Sequence, residues 1–136
     1  KRVAEAADVF AIPAGMDFVT AAAFPIAYPT ALVALAHRRV DLRAGEVLLV
    51  HGAAGGVGLA AVEVGKAMGA IVVGTVGSDE KRDIVTARGA DHVINYSTES
   101  IRDHVKALVG GADVVYDPVG GDAFLQSLRC IHTDVR

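Results

Sequence analysis

A glycine-rich segment, Gly52-Ala53-Ala54-Gly55-Gly56-Val57-Gly58, carries the clearest chemical signal in the sequence. It follows an apolar run and precedes residues with helical periodicity, an arrangement that leaves unpaired backbone amides at a helix N-terminus. Such amides and the helix dipole bind phosphate groups, and a residue without a Cβ lets the phosphates come close. We therefore predict that this segment binds the pyrophosphate of a dinucleotide.

The glycines of this segment have separate predicted roles. Gly55 allows the close approach of the phosphates, and Gly58 lets the helix pack tightly on its strand. Either Gly52 or the small Ala53 serves the turn, because the pattern G-x-G-x-x-G has alanine in its first place here, whereas an alternative register reads Gly52-x-x-Gly55-x-x-Gly58. Ala54, Gly56 and Val57 complete the predicted binding loop. A glycine-rich turn in a ligand-free α/β domain is the structural alternative.

The end of the next apolar run indicates which dinucleotide is bound. NAD-binding domains usually place an acidic residue there, about 20 residues into the unit, to bond the ribose 2′-hydroxyl. This sequence has Gly74-Thr75 instead, without a carboxylate that would repel a 2′-phosphate. We therefore predict NADPH rather than NADH.

Residues just beyond this point support the same prediction. Ser78 is expected to cap a helix, with Lys81 and Arg82 in the first turn, so that hydroxyl, amides and positive charge converge on an extra phosphate. Asp79 and Glu80 are expected to point to solvent at the helix start. The plain alternatives are an ordinary cap for Ser78 and a solvated helix face for the two cations.

Four short apolar runs must position these segments. They alternate with amphipathic stretches, which is typical of βαβ units and predicts a parallel sheet buried on both faces. The predicted strands are 46–51, 70–75, 92–96 and 113–117, and the predicted helices are a crossover helix ending near Gly69, one starting at Ser78, one at 99–108 and one at 122–130. The N-terminal third is expected to be helical.

Composition excludes several classes of function. The 136 residues suit one domain, and a net charge of −3 with scattered basic residues argues against nucleic-acid binding. The apolar run 19–36 is interrupted by Pro25 and Pro29, so no membrane span is expected. Cys130 stands alone, and no histidine has zinc-ligand spacing, so we expect no metal and a cytoplasmic protein. The five histidines are His37, His51, His92, His104 and His132.

Five segments in order resemble the zinc-free quinone oxidoreductases, the zeta-crystallin-like branch of the medium-chain dehydrogenase/reductase superfamily. They are Ala22-Ala23-Phe24-Pro25-Ile26-Ala27-Tyr28-Pro29-Thr30-Ala31, the glycine loop at 52–58, Gly74-Thr75-Val76-Gly77-Ser78-Asp79-Glu80-Lys81, Val93-Ile94-Asn95-Tyr96, and Val114-Val115-Tyr116-Asp117-Pro118-Val119-Gly120-Gly121. The resemblance covers roughly residues 10–131 and implies a Rossmann-type, doubly wound α/β domain.

The resemblance also implies roles for single residues. Lys81 matches the lysine that binds the 2′-phosphate, Tyr96 the tyrosine that reaches the same phosphate or its ribose, and Thr30 the threonine near the nicotinamide. The turn at Val119 and Gly120 matches the floor beneath the cofactor. Each of these roles has a structural alternative, since Thr30 could cap or break its helix and Tyr96 could simply end a strand. No catalytic residue is assigned.

Members of this branch carry two features that the sequence lacks. They have an N-terminal barrel domain lining the substrate cleft, and further strands that complete a six-stranded sheet. We therefore expect a single-domain fragment, residues 1–136, with four strands in the order 3-2-1-4. Its fourth strand would be a bare apolar edge, through which we expect self-association into a homo-oligomer.

Three functions remain as hypotheses. The first is an NADPH-dependent quinone or enone reductase, and the second is an enoyl-thioester reductase module of fatty acid or polyketide synthesis. The third is a nucleotide-binding module without chemistry. His51, beside the glycine loop, is expected to be a strand-end histidine bonded to backbone rather than a proton donor.

Overall fold

Four parallel strands form the centre of the fold in the computed structural model, which describes residues 3–38 and 40–132. Lys1, Arg2, Arg39 and the polar tail 133–136 lie outside the described residues. The strand order is β3-β2-β1-β4, which confirms the predicted parallel Rossmann-type sheet. The elements are α1 (Phe18–Ala36), β1 (Val47–Val50), α2 (Gly56–Ala67), β2 (Ile71–Val76), α3 (Arg82–Ala87), β3 (His92–Asn95), α4 (Ile101–Val109), β4 (Val114–Tyr116) and α5 (Asp122–Ser127).

The strand β1 is apolar throughout because helices cover both faces of the sheet. Leu48 and Val50 of β1 pack into a cluster with residues of α1 and α2. Leu49, between them, points the other way and packs with Ile101 and Val105 of α4. A strand buried on both sides favours apolar residues at every position, and the continuous run Val47–Val50 is buried.

Helix α2 crosses from β1 to β2 in close contact with the sheet. A Cβ at Gly65 would lie 2.5 Å from Cδ2 of Leu48, so the absence of a side chain there sets the separation between helix and strand. The helix ends before Gly69, whose φ of +84° is the left-handed conformation predicted for its C-terminus. The chain then returns directly into β2.

Helix α1 packs on α2 through a narrow stripe that includes the fully buried Ala31 and Leu35. Asp17 caps it by accepting the amides of Val19 and Thr20 at 2.9 Å each. The helix continues through both of its prolines. By length and composition alone its 19 residues, with a mean hydropathy of 1.7, could cross a membrane. The expectation of no membrane span therefore stays a prediction.

The segment after β2 differs from its prediction. A short 3-10 helix, Asp79–Lys81, precedes α3, and the side chain of Ser78 makes no capping hydrogen bond. Ser78 has extended backbone angles, and its carbonyl oxygen accepts the Lys81 amide at 3.2 Å. The carbonyl bond closes the tight turn, so the predicted cap by the Ser78 hydroxyl is wrong.

The outer edge of β4 is partly covered. The chain beyond α5 forms a parallel bridge between Ile131 and Ala112. The Ala112 amide donates to the Cys130 carbonyl at 2.9 Å, and the His132 amide donates to the Ala112 carbonyl at 2.8 Å. The prediction of a bare edge is therefore wrong for the amino-terminal end of β4. Val114–Tyr116 have no partner on this side among the described residues.

Candidate nucleotide-binding site

A cleft of about 220 Å³ lies where the carboxyl ends of the strands meet. Parallel α/β sheets bind their ligands at this edge, because loops and helix N-termini converge there. Residues from the ends of β1, β2 and β3 and from the segment after β4 share the cleft, and five of them were predicted as site residues. Its lining consists of His51, Gly52, Thr75, Tyr96, Ile101, Val119, Gly120, Asp122, Ala123 and Gln126.

The glycine-rich turn is fixed by backbone hydrogen bonds on both sides. The amide of Ala53 donates to the Thr75 carbonyl at the end of β2, and the amide of Gly55 donates to the Gly52 carbonyl, each at 2.9 Å. Gly52 has a φ of +59°, a left-handed conformation that side chains disfavour. Gly52 therefore serves the turn, and Ala53 is fully buried beneath it.

Gly58 and Gly74 are required for packing around this turn. A Cβ at Gly58 would lie 2.3 Å from the Gly52 carbonyl oxygen and 2.9 Å from Cα of Ala53. A Cβ at Gly74 would lie 2.8 Å from Cγ1 of Val85 and 3.0 Å from Cβ of Ala53. Gly58 thus brings α2 against the turn, whereas Gly65 is the glycine of α2 that faces β1, and the buried Gly74 makes room for Ala53 and α3.

Three backbone amides at the start of α2 remain unpaired within the part of the chain that the structure describes. They belong to Gly56, Val57 and Gly58, since the first bond of the helix runs from the Leu59 amide to the Gly55 carbonyl at 2.8 Å. Gly55 and Gly56 are exposed, and Ala54 and Val57 are half-buried. The arrangement offers amide donors and the positive end of a helix dipole to an anion.

The two cations after β2 have different surroundings. Lys81 is exposed and has no hydrogen bond or ion pair from its side chain among residues 3–38 and 40–132. Arg82 donates from Nε to Asp79 at 2.7 Å and from Nη2 to Glu99 at 2.5 Å, and its Nη1 bonds the Val93 carbonyl. The prediction that Arg82 adds a free positive charge is therefore wrong, because Arg82 is occupied by these acceptors.

Tyr96 lines the cleft and lies beside Gly77, the residue that precedes Ser78. Tyr96 is 47% exposed, and its hydroxyl lies so near Gly77 that a Cβ there would come within 2.7 Å of it. Ser97 ties the turns after β2 and β3 together by donating from Oγ to the Gly77 carbonyl at 2.8 Å. The structure thus places Ser78, Lys81 and Tyr96 around the ends of these two strands.

His51 forms a buried network below the glycine turn. Its Nδ1 lies 3.0 Å from Oγ1 of Thr75 and its Nε2 lies 2.6 Å from Oγ of Ser127, which also donates to the Ala123 carbonyl at 2.9 Å. All of these contacts are satisfied when Nε2 carries the proton and the Thr75 hydroxyl donates to Nδ1, an assignment made from the network. The expected backbone partner for His51 is therefore wrong.

Burial lowers the pKa of His51 below its usual range, and the Asp117 carboxylate only partly opposes this. The ring is therefore neutral at pH 7, which agrees with one protonated ring nitrogen. Sequence reasoning missed Ser127, because nothing local to α5 signals a partner 76 residues away. His51 connects the end of β1 to β2 and α5 and does not act as an exposed proton donor.

The turn after β4 is shaped by Asp117. Its Oδ1 accepts the amides of Val119 and Gly120 at 2.8 Å each, so this carboxylate stabilises the turn, as expected of a strand-end residue. A Cβ at Gly52 would come within 3.1 Å of Cγ2 of Val119, so the turn lies beside the glycine loop. The predicted floor residues are thus next to the predicted phosphate loop.

Thr30 is not part of this cleft. It lies on α1, where its hydroxyl donates to the Ile26 carbonyl at 2.5 Å, and it lines a shallow depression with Pro29, Val33 and Ala34. It neither caps nor breaks the helix. Its predicted place near a nicotinamide stays a prediction.

A sequence profile described as zinc-binding dehydrogenase matches residues 56–136. Quinone oxidoreductase-like protein 2 of Mus musculus is 44% identical over 123 residues, which make up 88% of this chain and 35% of that protein. The chain thus spans about a third of the length of the curated relatives it matches.

Solved structures give the same relationship. The Escherichia coli quinone oxidoreductase complexed with NADPH matches with a TM-score of 0.81 and 38% identity, over 89% of this chain and 37% of that one. The CurK enoyl reductase matches with a TM-score of 0.83 and 33% identity, over 93% and 38%.

The described residues of this chain do not form a site for the zinc that the profile's description names. Among residues 3–38 and 40–132, no three His, Cys, Asp or Glu side chains are grouped so that they could hold a metal ion. Cys130 is buried and free, and burial raises the pKa of its thiol, which disfavours the thiolate that binds zinc. The chain belongs to the zinc-binding dehydrogenase family, in its zinc-free quinone oxidoreductase-like branch.

Proposed function

We propose that this chain is the NADPH-binding domain of a zinc-independent oxidoreductase that reduces a quinone or an activated carbon–carbon double bond. The observation that carries the proposal is the set of unpaired amides of Gly56, Val57 and Gly58 at the start of α2, in the same loop as Gly52, which lines the cleft. Crystal structures of quinone oxidoreductases with NADPH, from Escherichia coli and Thermus thermophilus, support it by their similarity.

The pyrophosphate of NADPH would lie against the start of α2. The amides of Gly56 to Gly58 would donate to its oxygens, and the exposed Gly55 and Gly56 have no side chains to hold it away. Ala54, Val57 and the turn residue Gly52 shape the rest of this loop. Val119 and Gly120 would support the cofactor from the opposite wall of the cleft.

The 2′-phosphate would lie at the end of β2. The residues there are Gly74, Thr75, Val76 and Gly77, none of which carries a carboxylate, so the strand end itself does not repel the phosphate. Lys81 would supply the charge, and the hydroxyls of Ser78 and Tyr96 would supply further hydrogen bonds. NADH, which lacks this phosphate, would gain none of these contacts.

Bound NADPH supplies a hydride, and the residues described here hold and orient it. Thr30 would approach the nicotinamide only if the cofactor extends towards α1. This chain spans about a third of the length of its relatives, so we expect it alone to bind NADPH weakly and to show no quinone-dependent oxidation. Turnover by the purified chain would contradict this division of roles.

The decisive experiment is a calorimetric titration with NADPH and with NADH, for the native chain and for Lys81→Ala. Loss of a charge-assisted phosphate contact should weaken NADPH binding by about 1.5 to 3 kcal/mol and leave NADH binding unchanged. Lys106→Ala is the matched control, because this exposed lysine lies in the last turn of α4. Equal affinity of the native chain for both cofactors would refute NADPH specificity.

The enoyl-thioester reductase alternative is less well supported. The CurK enoyl reductase is 33% identical to this chain, whereas the quinone oxidoreductase of Pseudomonas aeruginosa is 42% identical over 122 residues. Assays of the full-length parent with quinones and with enoyl thioesters would separate the two activities. We also propose a cytoplasmic location and a homo-oligomeric state, which fractionation and scattering would test.

A further inference from the structure

Two carboxylates stand close to the proposed 2′-phosphate site and would oppose an anion there. Asp79 begins the 3-10 helix after β2, and its side chain is 72% exposed. Glu99 precedes α4, and its side chain is 27% exposed. Like charges repel over several ångströms even in water, so a site for a doubly charged phosphate beside free carboxylates would bind it weakly.

Arg82 pairs with both carboxylates. Its Nε donates to Oδ1 of Asp79 at 2.7 Å and its Nη2 donates to Oε2 of Glu99 at 2.5 Å. Its Nη1 bonds the Val93 carbonyl of β3, which fixes the guanidinium between the ends of β2 and β3. Arg82 hydrogen bonding is the main cause that lowers the pKa of Asp79.

Asn95 holds Asp79 from the other side. Its Nδ2 donates to Oδ1 of Asp79 at 3.0 Å, and its backbone amide donates to Oε2 of Glu99 at 2.6 Å. Asn95 is 3% exposed at the end of β3, and its Oδ1 accepts the Ser97 amide at 3.1 Å. The four side chains therefore form a connected network with fixed acceptors, and Lys81 takes no part in it.

We propose that Arg82 determines cofactor specificity without touching the cofactor, by neutralising Asp79 and leaving Lys81 available for the 2′-phosphate. This inference rests on the proposed NADPH site. Without Arg82, the cation nearest to Asp79 in the sequence is Lys81, two residues further along the chain. The 2′-phosphate would then meet an exposed negative charge and a lysine that has another partner.

The test is a double-mutant cycle with Arg82→Gln, Asp79→Asn and the double variant, titrated with NADPH and with NADH. Arg82→Gln should weaken NADPH binding about threefold to sixfold, the effect of one unit charge roughly 8 Å from a phosphate in water. NADH binding should stay unchanged. The double variant should regain native NADPH affinity, because the freed carboxylate is gone, and the loss in Arg82→Gln should shrink at high salt.

The controls separate this mechanism from its alternatives. If Arg82 touches the phosphate directly, Asp79→Asn will not restore the NADPH affinity of Arg82→Gln. If Arg82 is purely structural, Arg82→Gln will lose equal affinity for NADPH and for NADH. Either result overturns the inference. Asp79→Asn alone should strengthen NADPH binding about threefold to sixfold and leave NADH binding unchanged, because it removes one negative charge while Arg82 stays; this variant tests the inference if Arg82→Gln does not fold. A native chain without NADPH preference refutes the proposed function itself.

Discussion

Replacement of Gly58 by alanine tests whether the glycine turn depends on contact with α2. The added Cβ would lie 2.3 Å from the Gly52 carbonyl oxygen, and Cα of Ala53 and the Gly52 carbonyl carbon lie at 2.9 and 3.0 Å. All of these are backbone atoms, so no side chain can rotate away. The turn or the helix must move by roughly 1 Å before the contact becomes an ordinary van der Waals contact.

The expected cost follows from this displacement. Overpacking in a tightly packed region costs about 1 to 3 kcal/mol, and alanine returns at most about 1 kcal/mol through its higher helix propensity. Gly58→Ala should therefore lower the free energy of unfolding, by up to about 2 kcal/mol if the full gain in helix propensity is realised. It should also weaken NADPH binding, because the shifted turn carries the amides that face the pyrophosphate.

Urea denaturation followed by circular dichroism measures the first effect, with Gly56→Ala as the control. Gly56 lies in the same turn of α2, yet a Cβ there would meet no heavy atom within 4 Å. That variant should be as stable as the native chain or slightly more stable. If the two variants unfold at the same urea concentration, the clash at the Gly52 carbonyl is not what requires glycine at 58.

The free energy of unfolding should fall as the pH drops from about 7 to about 5, because the pKa of His51 is lowered in the folded state and the unfolded chain therefore takes up the proton first. His51→Gln should remove this part of the slope, and an unchanged slope would count against it. Asp91→Ala should cost about 1 to 2 kcal/mol in urea denaturation, since it removes the 2.7 Å bond from the Val72 amide; native stability would show that water replaces the carboxylate. We also expect self-association through the uncovered part of β4, and a monomeric mass in small-angle scattering would contradict this.

The sheet was predictable because its signals are local. Four apolar runs separated by helical stretches leave few ways to arrange a parallel sheet, and the glycine loop marks the first strand. At most of the strand ends, the predicted and observed bounds differ by a residue or two. For the first strand, the prediction is 46–51 and the structure has Val47–Val50. Buried, continuous strands therefore reveal their fold through composition alone.

The details of the site were less predictable because they depend on distant partners. Arg82 looked like a free cation in the sequence, but Val93 and Glu99 reach it from β3 and from the segment before α4. Ser78 has the right residue type for a cap, yet the carbonyl bond to the Lys81 amide takes its place. Neither outcome is encoded within a few residues of the group concerned.

The hydrogen bonds of His51 have a consequence for how this chain can change over time. Thr75 and Ser127, separated from it by 24 and 76 positions, are both almost fully buried. An apolar residue in place of the histidine alone leaves the buried Thr75 hydroxyl without its hydrogen-bond partner, whereas joint replacement of all three by apolar groups of matching volume removes the penalty. Substitution here should therefore proceed as a set, and related sequences should keep or lose the trio together.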